Sequence, residues 1–217
     1  DYTALEFRNL ADELGLAIPS SHYSVDEGTF DQTLDFVSTL GQSYVGSGGF
    51  PAPGLGSFDR EPTLDEVMAT AAAMDRLGER SVEAGVGKIF GHNHSWEFTT
   101  SFEVDGVTKT AWEILVDSTD PDYVTFQLDV AWAAHAGIDV VDLLDRYDDR
   151  VELLHVKDAT GLTTQQWPTF VNLGEGDVPL QDILAKGQEI GVEYFVMEYD
   201  LAADGEDFVA EGFEYLT

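Results

Sequence analysis

The clearest fold signal lies in residues 124–156, VTFQLDVAWAAHAGIDVVDLLDRYDDRVELLHV. The apolar runs Val124–Val130 and Val151–Val156 have the composition of buried strands, and Asp139–Arg146 between them has the apolar spacing of a helix. Apolar strands joined by a helix are typical of a parallel sheet that helices cover on both faces. This stretch therefore predicts an α/β fold.

The same alternation runs along the rest of the chain, where turn and capping residues mark the ends of the elements. Further helices are predicted around Leu5–Leu14 before Gly15, at Phe30–Leu40, between the capping box Thr63–Glu66 and Gly85, at Trp112–Val116, between Pro179 and Gly191, and at Phe208–Leu216. Further strands are predicted at Ser43–Val45, Lys88–His94 and Tyr194–Tyr199, with a short apolar run at Leu16–Ser24 and a hairpin turn at Asp105-Gly106.

About six strand–helix units result, which fits an open doubly wound sheet or an eight-unit barrel that lacks its first two strands. Periodicity alone does not separate these two architectures. No linker or change of composition divides the chain, so residues 1–217 are predicted to form a single domain. The Gly- and Pro-rich segment Gly46–Arg60 is longer than most connections, which predicts a functional loop.

Acidic side chains dominate the charge, with 42 Asp and Glu against 10 Lys and Arg and a formal net charge of −32. Because the acidic residues are dispersed and repel phosphate and anionic lipid, neither nucleic acid nor a membrane surface is expected as a partner. The pattern predicts a cytoplasmic protein of a halophile, kept soluble in concentrated salt. An acidic patch for a basic partner is the alternative.

Other sequence features narrow the class of protein further. The absence of Cys excludes disulfides and thiolate metal sites. No apolar run approaches the roughly 18 residues that a transmembrane helix needs, and no signal peptide is visible. The chain starts at Asp1 rather than Met and opens directly in a helical pattern, so we expect a missing upstream segment. Whether the chain forms a homo-oligomer is left open.

Polar side chains recur at the carboxyl ends of the predicted strands, where the sites of parallel α/β folds lie. They are His22, His92, His94, Asp129, His155, Lys157 and Glu198. Alternation along a strand places His92 with His94 on one face, and His155 with Lys157 on another. Side chains from separate strands are therefore expected to converge.

His92, Asp129, His155 and Glu198 together offer two imidazoles and two carboxylates, a set that suits Mn²⁺, Co²⁺, Zn²⁺ or Mg²⁺. Such an ion acts as a Lewis acid on a carbonyl or enediolate oxygen. Structural alternatives exist for each residue. A strand-end His can be a hydrogen-bonded core residue, Asp129 can cap the segment that follows it, and Glu198 can pair with Lys157.

At this point the chain resembles the sugar phosphate isomerase/epimerase family of xylose isomerase-like TIM barrels, which includes ketose 3-epimerases and inosose dehydratases. The matching stretches, in the family's order, are GHNHSWEF (91–98), QLDVAWAAHAG (127–137), LLHVKD (153–158), LGEG (173–176) and VMEYD (196–200). The resemblance implies a (β/α)8 barrel. It also implies that this chain starts inside the second helix, so that the first two strands and first helix are not in it.

The resemblance assigns roles residue by residue. Asp129, His155 and Glu198 match the family's metal-ligand positions, and the fourth position, a Glu in the ketose epimerases, falls on His92 here. In those epimerases the two metal-binding Glu residues also exchange protons with the substrate on opposite faces. Glu198 would keep that catalytic role, with His92 or the nearby Glu97 as its partner.

The chain departs from the ketose epimerases at two positions. Trp132 stands where they have a substrate-binding His, and Gly161 stands where they have an Arg, so the resemblance argues against the epimerases' own substrates. Other polar and aromatic residues remain as substrate contacts. His22, His94 and Glu175 are expected to contact hydroxyls or shuttle protons, while Trp96 and Trp132 either stack on a sugar face or anchor loops. Lys157, beside a carboxylate that would raise its pKa, is expected to position substrate or balance charge rather than act as a base.

These assignments predict a metal-dependent isomerase or epimerase for a small-molecule sugar, sugar phosphate or polyol, in which Glu198 removes a proton next to a carbonyl to form an enediolate. One alternative is an inosose dehydratase-like lyase that removes a β-hydroxyl at the same site. A non-catalytic sugar-binding barrel is another, because His92 replaces a Glu. A DNA-directed endonuclease IV-type role shares the fold, but the charge argues against it.

Overall fold

The computed structural model describes residues 2–51, 60–163, 166–200, 202 and 205–217. Its helices are α1 (Ala4–Leu14), α2 (Phe30–Leu40), α3 (Leu64–Glu83), α4 (Trp96–Thr99), α5 (Ala111–Asp117), α6 (Val130–His135), α7 (Val140–Arg146), α8 (Leu180–Ile190) and α9 (Gly205–Leu216). Its strands are β1 (Tyr44–Gly46), β2 (Lys88–His92), β3 (Ser101–Val104), β4 (Val107–Thr110), β5 (Val124–Asp129), β6 (Val151–Val156), β7 (Asp158–Thr160), β8 (Thr169–Val171) and β9 (Tyr194–Met197).

Local capping chemistry sets the ends of several helices. Thr63 opens α3 with a capping box, in which its side chain accepts from the Glu66 N–H and the Glu66 carboxylate accepts from the Thr63 N–H. Gly15, Gly41 and Gly191 end α1, α2 and α8 with φ between 69° and 85°, a conformation that favours glycine. The predicted boundaries of these helices are therefore confirmed to within a residue or two.

The first of two compact units comprises residues 1–92 and 102–126. Its strand order is β1-β2-β5, and β1 runs parallel to β2 with Tyr44 opposite Lys88. Helix α3 buries an apolar face and approaches the chain at Tyr123 closely, since a Cβ on Gly78 would lie 2.5 Å from the Tyr123 carbonyl oxygen. Only glycine fits that position without a shift of the helix or the backbone beside it.

The second unit comprises residues 93–101 and 127–217. Strand β5 contributes its last three residues here, and the strand order is β5-β6-β9. Strands β6 and β9 are parallel with His155 opposite Val196, whereas β7 and β8 form a separate antiparallel pair. Parallel strands flanked by helices confirm the predicted α/β class. Within the described ranges, no helix is long and apolar enough to cross a membrane.

Some predicted strand ends were wrong because a helix or an irregular segment begins before the strand-like sequence pattern ends. The strand predicted at Lys88–His94 ends at His92, so strand alternation does not place His94 beside it. The strand predicted at Val124–Val130 ends at Asp129, whose side chain caps α6, and the last strand ends at Met197 rather than Tyr199.

Other parts of the chain were predicted incompletely. The apolar run 16–24 makes a single bridge, between His22 and Gly46, and no named strand. The short elements α4, α6, β7 and β8 were not predicted, because each is too short for a clear periodic pattern. Most of the predicted loop Gly46–Arg60 lies outside the described residues.

Candidate active site

The carboxyl ends of β5, β6 and β9 bring together polar side chains in the second unit. Asp129 is the last residue of β5, His155 is the last but one of β6, and Lys157 and Glu198 directly follow β6 and β9. The Glu198 N–H donates to the Val156 carbonyl at 3.1 Å, which extends the pairing of β6 and β9 by one step. Because parallel strands end at the same edge, side chains distant in sequence meet there.

Lys157 is the cationic centre of this cluster. Its Nζ lies 3.1 Å from Asp129 Oδ2, 3.3 Å from Glu198 Oε1 and 2.9 Å from Asp200 Oδ2, and its side chain is 1% exposed. Burial, the largest single influence, lowers the Lys157 pKa, but the three carboxylates together outweigh it and raise the pKa above its usual value. Lys157 is therefore protonated at neutral pH, where it balances charge and cannot accept a proton.

The two carboxylate oxygens of Asp129 make different contacts, one with the local backbone and one with the cluster. Oδ1 accepts from the backbone N–H groups of Ala131 and Trp132 at 3.1 and 3.0 Å, so it caps α6. Oδ2 faces Lys157 and lies 3.9 Å from His155 Nδ1. Complete burial, with a contribution from the Glu198 carboxylate, raises the Asp129 pKa to about 6 against the opposing effect of Lys157 and His155.

Asn93 fixes the backbone of Asp129 from the neighbouring segment. Its side-chain Oδ1 accepts from the Asp129 N–H at 2.9 Å, and its Nδ2 donates to the Asp129 carbonyl at 3.2 Å. Asn93 is fully buried, so this pair of hydrogen bonds is shielded from water. Asn93 lies in the GHNHSWEF stretch, but the sequence alone assigned it no role.

The residues in this cluster fit a divalent cation. Asp129, His155 and Glu198 each offer a ligand atom, and these atoms lie within 4.8 Å of one another. His155 contacts Glu198 directly. With Asp200, three carboxylates face the single ammonium of Lys157, which leaves an excess of negative charge that a divalent ion would neutralise. The capping and ion-pair interpretations of Asp129 and Glu198 are both correct, and both are compatible with a metal site.

Glu97 is a buried acid on the first turn of α4. Its Oε2 accepts from the His94 N–H at 2.8 Å, and within the described part of the chain its buried Oε1 has no hydrogen-bond partner. Burial, with a smaller contribution from the charge of Asp129, raises the Glu97 pKa to about 8 despite that hydrogen bond. Glu97 is therefore largely protonated at neutral pH, and it can donate a proton.

An aromatic group adjoins Lys157. The Trp132 ring lies at centroid distances of 5.6 Å from His94, 5.2 Å from Phe170 and 4.9 Å from Trp167. The Lys157 ammonium lies 5.5 Å from the Trp132 ring centroid and 4.8 Å from that of Phe170. Trp132 is only 3% exposed, so its proposed stacking on a sugar would use a ring that is already largely covered by protein.

The remaining predicted residues lie in different surroundings. His22 and His92 belong to the first unit, where their ring centroids are 5.2 Å apart, and His92 is buried at the end of β2. Trp96 is partly buried at the start of α4, and Glu175 is exposed on the loop after β8. Roles for His22, Trp96 and Glu175 and ligation by His92 remain predictions.

Sequence reasoning missed residues whose roles need tertiary contacts to be seen. Asp158 accepts from the backbone N–H groups of Gly174, Gly176 and Val178 at 2.9 to 3.3 Å and so organises the loop that carries Glu175. Asp200, Trp167 and Phe170 were also missed. Asp158 ends the LLHVKD stretch and Asp200 ends the VMEYD stretch. The motifs therefore contained both residues, but the sequence did not show which groups they contact.

Comparisons of the chain with known proteins agree on one family. A family model described as a xylose isomerase-like TIM barrel matches residues 1–217. An inosose dehydratase from Lacticaseibacillus casei is 30% identical over 143 residues, which cover 63% of this chain and 45% of that protein. The chain spans about half the length of the curated relatives of this kind that it matches.

Solved structures agree on the fold. A sugar phosphate isomerase/epimerase from Parabacteroides distasonis superposes with a TM-score of 0.77 and 24% identity, over 99% of this chain and 75% of that one. An L-ribulose 3-epimerase superposes with a TM-score of 0.71 and 15% identity, over 100% and 79% of the two chains. At these identities the likeness establishes the fold alone, and the barrel is the predicted architecture that it confirms.

Proposed function

Because this chain belongs to the xylose isomerase-like TIM barrel family, whose members include enzymes, we propose that it removes a proton next to a carbonyl group of a sugar or polyol. The cluster of Asp129, His155, Lys157 and Glu198 carries the proposal. It places a partly exposed carboxylate, Glu198, beside a buried cation and a set of metal-ligand atoms.

A divalent cation, Mn²⁺, Co²⁺, Zn²⁺ or Mg²⁺, is part of the proposal. Asp129, His155 and Glu198 would hold it, and His92 remains the predicted fourth ligand. When bound, such an ion supplies Lewis-acid polarisation of a carbonyl oxygen. The protein's own contribution is to hold these ligands rigidly, since Asp129 is fixed through both its backbone and its carboxylate.

Glu198 would act as the base. Its side chain is 25% exposed, whereas those of His155 and Asp129 are 6% and 0% exposed, so of these three it is the most open to a ligand. The Lys157 Nζ lies 3.3 Å from Glu198 Oε1. The same ammonium would stabilise the negative charge that develops on the enolate.

Dehydration is the outcome that we propose first. Glu198 would take the proton next to the carbonyl, a carbon–carbon double bond would form, and the C–O bond of the β-hydroxyl would break. Glu97, largely protonated because burial raises its pKa to about 8, would protonate the departing hydroxide to give water. The curated relatives are named inosose dehydratases, which supports this choice.

Isomerisation or epimerisation is the second candidate, since it passes through the same enolate. It requires a second group that returns a proton to the substrate, and by resemblance that position falls on His92.

A neutral ligand suits either reaction better than a sugar phosphate. Among the described residues of the second unit, Lys157 is the basic side chain that contacts the cluster, and it is already paired with three carboxylates.

Proton exchange provides the test. Ketoses and keto-polyols, inosose included, would be incubated with the protein and Mn²⁺ in D₂O and followed by NMR for deuterium incorporation and new epimers, and by absorbance for an enone. We expect exchange and enone formation that fall at least about 100-fold in Glu198→Gln. The control Glu189→Gln, at an exposed position of α8, should keep wild-type activity.

Distinct outcomes separate the candidates. New epimers without an enone would replace the dehydratase proposal by the isomerase or epimerase. Undiminished exchange in Glu198→Gln would remove Glu198 from the mechanism. Binding of a ligand with no exchange in the wild-type protein would support the non-catalytic sugar-binding barrel instead.

A further inference from the structure

Trp167 combines strong exposure with a place in the aromatic group beside Lys157. It is 74% exposed, although Trp is among the most apolar surfaces that a protein can present. Its ring meets Trp132 edge-on, with 4.9 Å between centroids and 76° between planes. Because so much of the side chain is exposed, at least one face of the Trp167 ring remains available to a ligand.

Trp132 supplies an independent observation. Its ring is 3% exposed, and its indole Nε1–H, itself buried, has no hydrogen-bond partner anywhere in the described ranges. A buried donor without an acceptor is costly, and such groups in proteins are usually satisfied. A ligand hydroxyl would provide the missing acceptor.

These two features adjoin the proposed reaction centre. Lys157, which contacts Asp129 and Glu198, lies 5.5 Å from the centre of the Trp132 ring. Trp132 therefore contacts both the ammonium of the charged cluster and the exposed ring of Trp167.

We propose that Trp167 and Trp132 form a binding subsite for a ring-shaped polyol, in which Trp167 stacks on a C–H face of the ring and Trp132 Nε1–H donates to one of its hydroxyls. A ring polyol fits because it combines a flat apolar face with hydroxyls at its rim. An open-chain polyol offers no such face. The inference rests on the proposed function, since it specifies the ligand of the same site.

Binding of myo-inositol, a ring polyol without a carbonyl group, tests the subsite separately from turnover. Calorimetric titration would compare wild type with Trp167→Ala, Trp167→Phe and Trp132→Phe. We expect about tenfold weaker binding in Trp167→Ala, near-complete rescue in Trp167→Phe, and about three- to tenfold weaker binding in Trp132→Phe, which keeps a ring but lacks the N–H. The control Phe213→Ala removes another exposed aromatic ring, on α9, and should bind as wild type does.

The open-chain polyol sorbitol completes the design, because its weaker binding should be insensitive to Trp167→Ala. Wild-type affinity for myo-inositol in Trp167→Ala, an equal loss for sorbitol, or no binding of myo-inositol by wild type would overturn the proposal. Failure of the reaction is distinguishable, since loss of proton exchange with intact, Trp167-dependent binding would refute the proposed function and leave the subsite standing.

Discussion

The first turns of α3 and α4 each hold a glutamate whose carboxylate accepts a backbone hydrogen bond. The pKa values of these two glutamates are shifted in opposite directions. Glu66 accepts from the Thr63 N–H at 2.8 Å, and Glu97 accepts from the His94 N–H at 2.8 Å. The Arg60 guanidinium, together with the Thr63 hydrogen bond, lowers the Glu66 pKa to about 2, whereas burial raises the Glu97 pKa to about 8. A local hydrogen bond therefore does not decide the charge of a carboxyl group.

The difference teaches that desolvation of a buried carboxyl group outweighs a single favourable hydrogen bond, and that a nearby cation reduces the rise in pKa. Asp129 illustrates the intermediate case, because it is fully buried but lies 3.1 Å from Lys157, and its pKa rises only to about 6. Burial and a neighbouring cation act against each other at this one carboxylate. The protein thus holds a partly exposed anion, a buried anion and a buried neutral acid, of which the two anions are paired with a cation.

Removal of the buried cation should have the largest effect. Lys157→Met leaves the carboxylates of Asp129, Glu198 and Asp200 without their ammonium, so we expect a loss of about 3–5 kcal/mol in the free energy of unfolding. Urea denaturation with a chelator present would measure it, since a bound divalent ion would replace the missing charge. The matched control Lys186→Met removes a more exposed Lys paired with Asp145 and Glu189, and should cost less than about 1 kcal/mol.

An equal, small loss in both Lys variants would contradict this prediction. It would mean that the three carboxylates of the cluster take up protons at little cost when Lys157 is absent, so that the cation does not control their charge.

The pH dependence of Glu97 should have the next largest effect. Its pKa is raised in the folded state, so its neutral form contributes stability that is fully present below about pH 4.5 and is lost as the pH rises to about 8. Glu97→Gln keeps an acceptor oxygen but cannot ionise. We expect the variant to match wild type near pH 4.5 and to exceed it by up to roughly 3 kcal/mol at pH 9.

Urea unfolding of both proteins at several pH values would measure this difference. Parallel stability curves between pH 4.5 and pH 9 would show that Glu97 does not titrate with a raised pKa, and would remove it as the proton donor.

Glu66 should give the smallest effect, with the opposite sign. Its pKa is lowered in the folded state, so its anion contributes stability that is present above about pH 4.5 and is lost as the pH falls through about 2. We expect Glu66→Gln to lower the urea midpoint slightly at pH 7, with the difference vanishing near pH 2. The effect should shrink in molar salt, because the Arg60 pair is exposed. A midpoint difference that persists at pH 2 would trace the effect to lost packing instead.

The sequence predicted the fold better than the site. Helix ends at Gly15, Gly41 and Gly191 and the capping box at Thr63 are local signals, so they were read without knowledge of the rest of the chain. The predicted single domain, the halophilic origin and the fourth ligand His92 remain predictions. The strand carrying His92 was predicted two residues too long, because the sequence pattern does not mark the point at which the chain leaves the sheet.

By itself, the sequence determined the α/β class, the family and the residue types that could hold a metal, since periodicity, capping and motif order are properties of neighbouring positions. Only the tertiary structure decided that three carboxylates contact Lys157. It also decided that Asn93 bonds to the Asp129 backbone and that Trp167 contacts Trp132. These contacts join residues far apart in the chain. Their energies depend on burial, which distant segments impose and no local pattern records.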